Sequence, residues 1–255
     1  MAQKAEGSGI LERGNIYFLY RPKVQQEARK KSDVERFYMV LSPDGKKIYR
    51  EIIMGQKELP KVEEGRERNW GFVKTVVSDA KELQGEFAEV EYSTKTRGDR
   101  KLAAARPAGE GIYAIVRHDG HTHLVYSLEL PENPREVQRE FQIEDEASYI
   151  ISIKNPKKPS PPKVGLRGDQ KAEYPQELQE LFRDRSFADA DPPELLDYEG
   201  AEIMLIGAGE DPLNELGIKL HAEHETETSA DIFRDLKLNR QKHPLKPLFE
   251  GKELI

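Results

Sequence analysis

Short apolar segments rich in aromatic and β-branched residues, separated by polar turn residues, recur along the first 155 residues of the chain. Segments of this length and composition are typical of β-strands. The segments cover residues 16–20, 36–41, 47–54, 70–77, 89–94, 112–117, 122–130 and 147–154. Many short strands at such close spacing predict a mainly antiparallel sheet or a partly closed barrel.

Two turn sequences predict hairpins within this region. The Pro-Asp-Gly sequence at residues 43–45 combines the fixed φ of proline with the permissive backbone of glycine, as a tight turn requires. Asp119 and Gly120 form a two-residue turn signal of the primed type. The second turn predicts that His118 lies directly opposite His121 on the neighbouring strand.

The pattern changes after the last of these strands. Residues 156–170 are rich in proline and lysine, which disfavours regular structure and predicts a linker. Helical periodicity and proline-containing helix starts follow it. We therefore predict an α+β protein with a β-rich domain at residues 1–155 and a helix-rich α/β segment at residues 171–255 that packs on it.

Composition narrows the functional classes. The chain has 255 residues, of which 36% are hydrophobic and 34% charged, and this balance predicts a folded protein. A net charge of -7 argues against a broad nucleic-acid or anionic-membrane surface but allows a local basic site. The absence of cysteine excludes disulfides, thiolate metal sites and cysteine nucleophiles. No export signal or spanning apolar segment is evident, so we expect a soluble, cytoplasmic protein that does not enter a membrane.

The most basic stretch of the chain lies between residues 95 and 106. Its basic residues are Lys95, Arg97, Arg100, Lys101 and Arg106. Guanidinium groups near glycine amides are suited to phosphates and carboxylates, so we expect an anionic partner: a phosphate-bearing ligand, a nucleic-acid end or an acidic protein surface. The alternative is a solvated loop whose charges serve only solubility.

A histidine cluster surrounds the second predicted turn. His118, His121 and His123 share one face of the hairpin, with cross-strand Cβ separations of about 5 Å. This spacing is compatible with one divalent metal ion, which could activate a water molecule for hydrolysis. The alternative is a set of turn-proximal polar side chains without a ligand.

Three functional hypotheses follow. The first is a binding protein that recognises an anionic partner through residues 95–106. The second is a metal-dependent hydrolase that uses the histidine cluster. The third is a structural scaffold whose strand edges form an oligomer interface. Spacing assigns no catalytic residue, because catalytic side chains meet in space and not in sequence.

Overall fold

The computed structural model describes residues 9–24, 28, 30–62, 67–96, 98–160, 165–209, 213, 216–220, 222, 225–226 and 229–251. Its strands are β1 (Gly9–Pro22), β2 (Val34–Pro43), β3 (Tyr49–Met54), β4 (Arg68–Val77), β5 (Val90–Thr94), β6 (Gly98–Leu102), β7 (Arg106–His118), β8 (His121–Leu130), β9 (Glu146–Lys154), β10 (Phe187–Asp189) and β11 (Glu202–Gly207). Its α-helices are α1 (Ala80–Phe87), α2 (Glu136–Glu140), α3 (Gln176–Glu180), α4 (Asp231–Asp235) and α5 (Lys246–Phe249). Short 3₁₀ turns cover Lys31–Asp33, Gly168–Gln170 and Pro193–Leu196.

Eight antiparallel strands close into a barrel. Around the barrel the order is β9, β11, β4, β3, β2, β1, β7 and β8, and β8 pairs with β9 to complete the circle. The short strand β10 pairs with the end of β9, next to the residues of β9 that bond to β8. Closure leaves the eight strands hydrogen-bonded on both sides, which removes the exposed edges of an open sheet.

Side chains fill the inside of the barrel. Alternate residues of β1 point inward, among them Phe18 and Tyr20, and join the main core. The Phe37 and Phe141 rings stack with centroids 4.8 Å apart, and Phe18 meets Tyr126 edge-on at 5.2 Å. The interior is therefore a packed core of aromatic and aliphatic side chains, as small barrels commonly have.

A second apolar layer covers the outside of β1, β2 and β3. The outward residues Leu19 and Tyr38 of these strands pack against Leu83 and Phe87 of α1 and Ile232 of α4. Because β1 is buried on both faces, its sequence is continuously apolar at residues 16–20 and lacks polar alternation.

The predicted fold class is wrong in its C-terminal part. A helix-rich α/β segment was expected at residues 171–255, but the helices described there have four or five residues. The protein is mostly β, and β11 from this segment lies between β9 and β4 in the barrel. Leucine and phenylalanine at helical spacing led to the prediction, and tertiary packing instead uses them in short turns around the barrel.

The two predicted hairpins are confirmed. β2 pairs with β3 around a turn in which Gly45 has a φ of 71°, and β7 pairs with β8 with His118 opposite His121. The division of the chain at residues 156–170 stays a prediction. No helix in the described ranges is both long and apolar enough to cross a bilayer.

One end of the barrel interior holds a buried ion pair. The Arg50 side chain is fully buried, and its Nη1 and Nη2 atoms donate to the two carboxylate oxygens of Glu12 at 2.5 and 3.0 Å. Its Nε atom donates to Asp197 at 2.6 Å, and the Tyr113 hydroxyl donates to Glu12 at 2.8 Å. These bonds connect β1, β3 and β7 with the turn that follows Pro193–Leu196.

We expect Arg50→Met to lower the free energy of unfolding by about 3–5 kcal/mol, because it leaves the Glu12 carboxylate buried without its cation. The matched control is Lys46→Met, which removes a largely solvated partner of Glu12 and should cost less than about 1 kcal/mol. Urea denaturation of both variants measures the difference. Equal losses in the two variants would contradict this role for Arg50.

A carboxyl pair attaches α4 to the barrel. Glu110 of β7 is 1% exposed and accepts hydrogen bonds from the backbone N–H groups of Asp231 and Ile232 at 3.1 and 2.9 Å. Glu225 accepts from the Asp231 N–H at 3.0 Å. Burial, followed by hydrogen bonding to the Glu225 carboxyl, raises the pKa of Glu110 to about 9.

Native Glu110 therefore keeps a proton that the unfolded chain releases near pH 4.5, so it should make the protein less stable as pH rises from about 4.5 to about 9. In Glu110→Gln the side-chain amide stays neutral at every pH, so this loss of stability with rising pH should disappear. Thermal melts of both proteins between pH 6.5 and pH 9 test the expectation. If the difference in melting temperature between the wild type and Glu110→Gln does not change with pH, the expectation is refuted.

Candidate functional site

The strands β5 and β6 form a hairpin outside the barrel. Within the described structure they make a separate two-stranded sheet, in which Tyr92 lies opposite Arg100 and Val90 opposite Leu102. Tyr92 is 40% exposed and Val90 is 42% exposed, both high values for large apolar side chains. We call β5, β6 and the turn between them the hairpin arm.

The base of the arm is fixed by a buried arginine of β1. Arg21 Nη1 donates to the carbonyl oxygens of Ala88 and Ala103 at 3.1 and 2.9 Å, and Nη2 donates to the Glu86 carbonyl. Ala88 precedes the arm and Ala103 follows it, so one guanidinium holds both of its ends. The arm therefore extends from a fixed base on the barrel wall.

A backbone bond and a histidine strengthen this base. The Ala105 N–H donates to the Phe87 carbonyl at 2.9 Å, which closes the loop that carries the arm. His243 Nδ1 lies 2.7 Å from the Ala105 carbonyl, and burial lowers the pKa of this histidine. The imidazole is therefore neutral at physiological pH and donates from Nδ1 to the carbonyl.

The five basic residues predicted from residues 95–106 do not form one patch. Lys95 and Lys101 are exposed on the arm, and Arg100 lies in the same strand as Lys101. Arg106 is instead a largely buried residue of the barrel strand β7, opposite Tyr20. Arg97 lies outside the described residues. The prediction grouped Arg106 with the other basic residues because it is close to them in sequence. In the structure, however, the chain has already left the arm and begun the barrel strand β7 at Arg106.

The two faces of the arm differ in character. Arg100 shares a face with Tyr92, Val90 and Leu102, because cross-strand partners and residues two apart lie on the same side of a sheet. The opposite face carries Lys101, whose ε-amino group lies 2.8 Å from a Glu89 carboxylate oxygen. The first face thus combines an exposed aromatic ring with a guanidinium group.

The histidine cluster has the predicted strand register, but the ring nitrogens of its histidines contact different partners. The His118 and His123 ring centroids lie 6.0 Å apart. His123 Nδ1 lies 3.2 Å from the Ser148 hydroxyl oxygen, whereas His121 Nδ1 lies 3.8 Å from an Asp189 carboxylate oxygen. Burial, followed by the proximity of the other two imidazoles, lowers the pKa of His123 to about 4, so this ring is neutral at pH 7.

Among the described residues, no group of three or more His, Asp or Glu side chains is placed to hold a metal ion. The expected divalent ion at His118, His121 and His123 therefore stays a prediction. The hairpin turn sets the strand register but does not decide the ring orientations, and these depend on Ser148 and Asp189 from other strands.

Sequence reasoning missed two features. Arg21 follows an apolar run and looked like the end of a strand, yet it anchors the arm. A cleft about 330 Å³ in volume lies beside Trp70 and Phe72 on the outside of β4. The spacing of these two aromatic residues could have indicated a shared face. Their neighbour Glu202 could not have been found, because it comes from a distant strand.

Comparisons with protein-family models, with curated proteins and with solved structures found no match to this chain. Its function is therefore inferred from the geometry of its own side chains: the hairpin arm, the histidine cluster and the cleft on β4.

Proposed function

We propose that this protein is a binding protein that engages an anionic polymer, single-stranded nucleic acid, through the hairpin arm. The observation that carries the proposal is the exposed face on which Tyr92 and Arg100 lie opposite each other. A flat ring can stack on a base while a neighbouring guanidinium binds the phosphate backbone. This pair of groups supports nucleic acid over an acidic protein surface, which has no bases to stack.

The charge distribution supports the same partner. The segment 90–102 has four basic and two acidic residues, whereas the whole chain has a net charge of -7. A negative body repels an anionic polymer, and a locally positive arm attracts it. The partner would therefore be directed to the arm and away from the rest of the surface.

The fixed base of the arm also favours binding. Arg21 holds both ends of the arm against β1, so forming a complex requires less ordering of the chain than a free loop would need. The packed interior of the barrel acts in this proposal as a rigid support. Metal-dependent hydrolysis at the histidine cluster, a scaffold role and a cytoplasmic location stay predictions.

The test uses a fluorescein-labelled dT20 oligonucleotide and measures anisotropy at several salt concentrations. Lys95→Gln/Arg100→Gln should weaken binding and make the salt dependence shallower by about 0.7 in log–log slope for each lost phosphate contact. Tyr92→Leu should weaken binding at every salt concentration without changing the slope, since stacking involves no counterion release.

The matched control is Lys47→Gln/Arg183→Gln, which removes the same charge from exposed positions outside the arm. It should bind like the wild type. An equal loss in the control, or no binding of dT20 by the wild type at low salt, would overturn the proposal. Binding that weakens with the basic substitutions but is unchanged by Tyr92→Leu would show that Tyr92 does not stack on the bases, and it would remove the argument for nucleic acid over an acidic protein surface.

A further inference from the structure

A cleft of about 330 Å³ opens on the outer face of β4, within the range of small-molecule sites. Its lining residues are Gly55, Gln56, Trp70, Gly71, Phe72, Gly165, Leu166 and Glu202. Aromatic rings and glycine backbone thus make most of the wall, with one carboxylate. This composition is typical of a site for a small, mostly flat molecule.

The cleft lies in a gap between two outer layers of the protein that do not meet. Phe72 lies at the border of the apolar layer that covers β1, β2 and β3. On the other side, the Phe187 ring lies 5.8 Å from the Trp70 ring. Gly55 is the neighbour of Trp70 on the β3 side, with its N–H bonded to the Trp70 carbonyl, and it has no side chain to fill the space.

The spacing of the two aromatic residues suits a flat ligand. Trp70 and Phe72 lie two residues apart on one strand and therefore share its outer face, about 6.7 Å apart along the strand. This repeat is about twice the roughly 3.4 Å spacing of stacked bases, which is the separation that two parallel rings need to hold one flat ring between them.

The one carboxylate in the wall of the cleft belongs to Glu202. It lies opposite Phe72 in the register and is 3% exposed. Its Oε1 atom accepts from the Leu166 N–H at 2.8 Å and lies 3.3 Å from the Ser160 hydroxyl, and its Oε2 atom lies 3.3 Å from the same hydroxyl. Lys171 Nζ is 3.9 Å from Oε2.

These contacts hold the carboxylate in place without using all of its acceptor capacity. An ionised carboxylate has about four lone-pair sites, so each oxygen can accept a further hydrogen bond. A ligand that presents two adjacent N–H groups matches the two oxygens, as a guanidinium does in a bidentate pair. A ligand that presents an acceptor at the same position would be repelled.

We propose that this cleft binds a guanine-type base, with the ring between Trp70 and Phe72 and the adjacent ring N–H and exocyclic amino groups on Glu202. Among the common bases, guanine alone has two neighbouring donors on this edge. Adenine and cytosine place a ring acceptor beside the amino group, and uracil has a single N–H between two carbonyls. The site is independent of the hairpin arm.

The test uses the only tryptophan of the chain as its reporter. Guanosine should quench the Trp70 emission in a saturable way, and adenosine, cytidine and uridine should bind about ten- to a hundredfold more weakly, since each forfeits a charge-assisted hydrogen bond. Parallel titrations of N-acetyltryptophanamide correct for absorption by the nucleosides. Lys95→Gln/Arg100→Gln should leave the guanosine titration unchanged, which separates this site from the arm.

Two variants keep the fluorescent Trp70 and separate the role of Glu202 from that of Phe72. Glu202→Gln should remove the preference for guanosine, whereas Phe72→Leu should weaken all nucleosides while the preference remains. If Glu202→Gln does not fold by circular dichroism, the wild-type ranking and Phe72→Leu decide the question. A lack of saturable change with guanosine, equal affinity for all four nucleosides, or an unchanged preference in a folded Glu202→Gln would overturn the proposal.

Discussion

Hydrogen bonding of β9 to β8 on one side and to β11 on the other is the interaction on which the rest of the structure depends. These two ladders close the barrel, and closure buries the aromatic interior from all directions. The segment between β9 and β11 adds Phe182, Leu195 and Leu196 to this core and Asp197 to the buried Arg50. That segment brings Phe187 and Leu166 to the surface of β4 and so forms one wall of the cleft.

Side chains fill the described interior of the barrel, and both proposed binding sites lie on the outer surface. Each outer feature marks a place where the second apolar layer ends. The hairpin arm leaves this layer after Phe87, and the cleft begins beyond Phe72. At both places an aromatic ring remains accessible beside a charged group: Tyr92 beside Arg100, and Trp70 near Glu202. The charges in the two places are opposite, and the two proposals accordingly assign them different ligand groups, a phosphate backbone at the arm and base N–H donors in the cleft.

Buried charged residues in this protein connect elements that are distant in sequence. Arg50 joins Glu12 to Asp197 inside the barrel, and Arg21 joins β1 to both ends of the arm. Such groups are costly to bury, so each must have its partners in place when the barrel is complete. Glu110 attaches α4 in the same manner, but it does so as a neutral acid.

The sequence by itself determined the local structure: the hairpin of β2 and β3, the turns at Gly45 and Gly120, and the register of His118 against His121. These depend on backbone preferences and side-chain periodicity over a few residues. Only the tertiary structure decided that β11 joins the barrel, that Arg106 leaves the basic cluster, and that Glu202 comes to lie beside Trp70 and Phe72. Pairing between distant strands sets these positions, and the periodicity of one strand does not specify which strand will lie next to it.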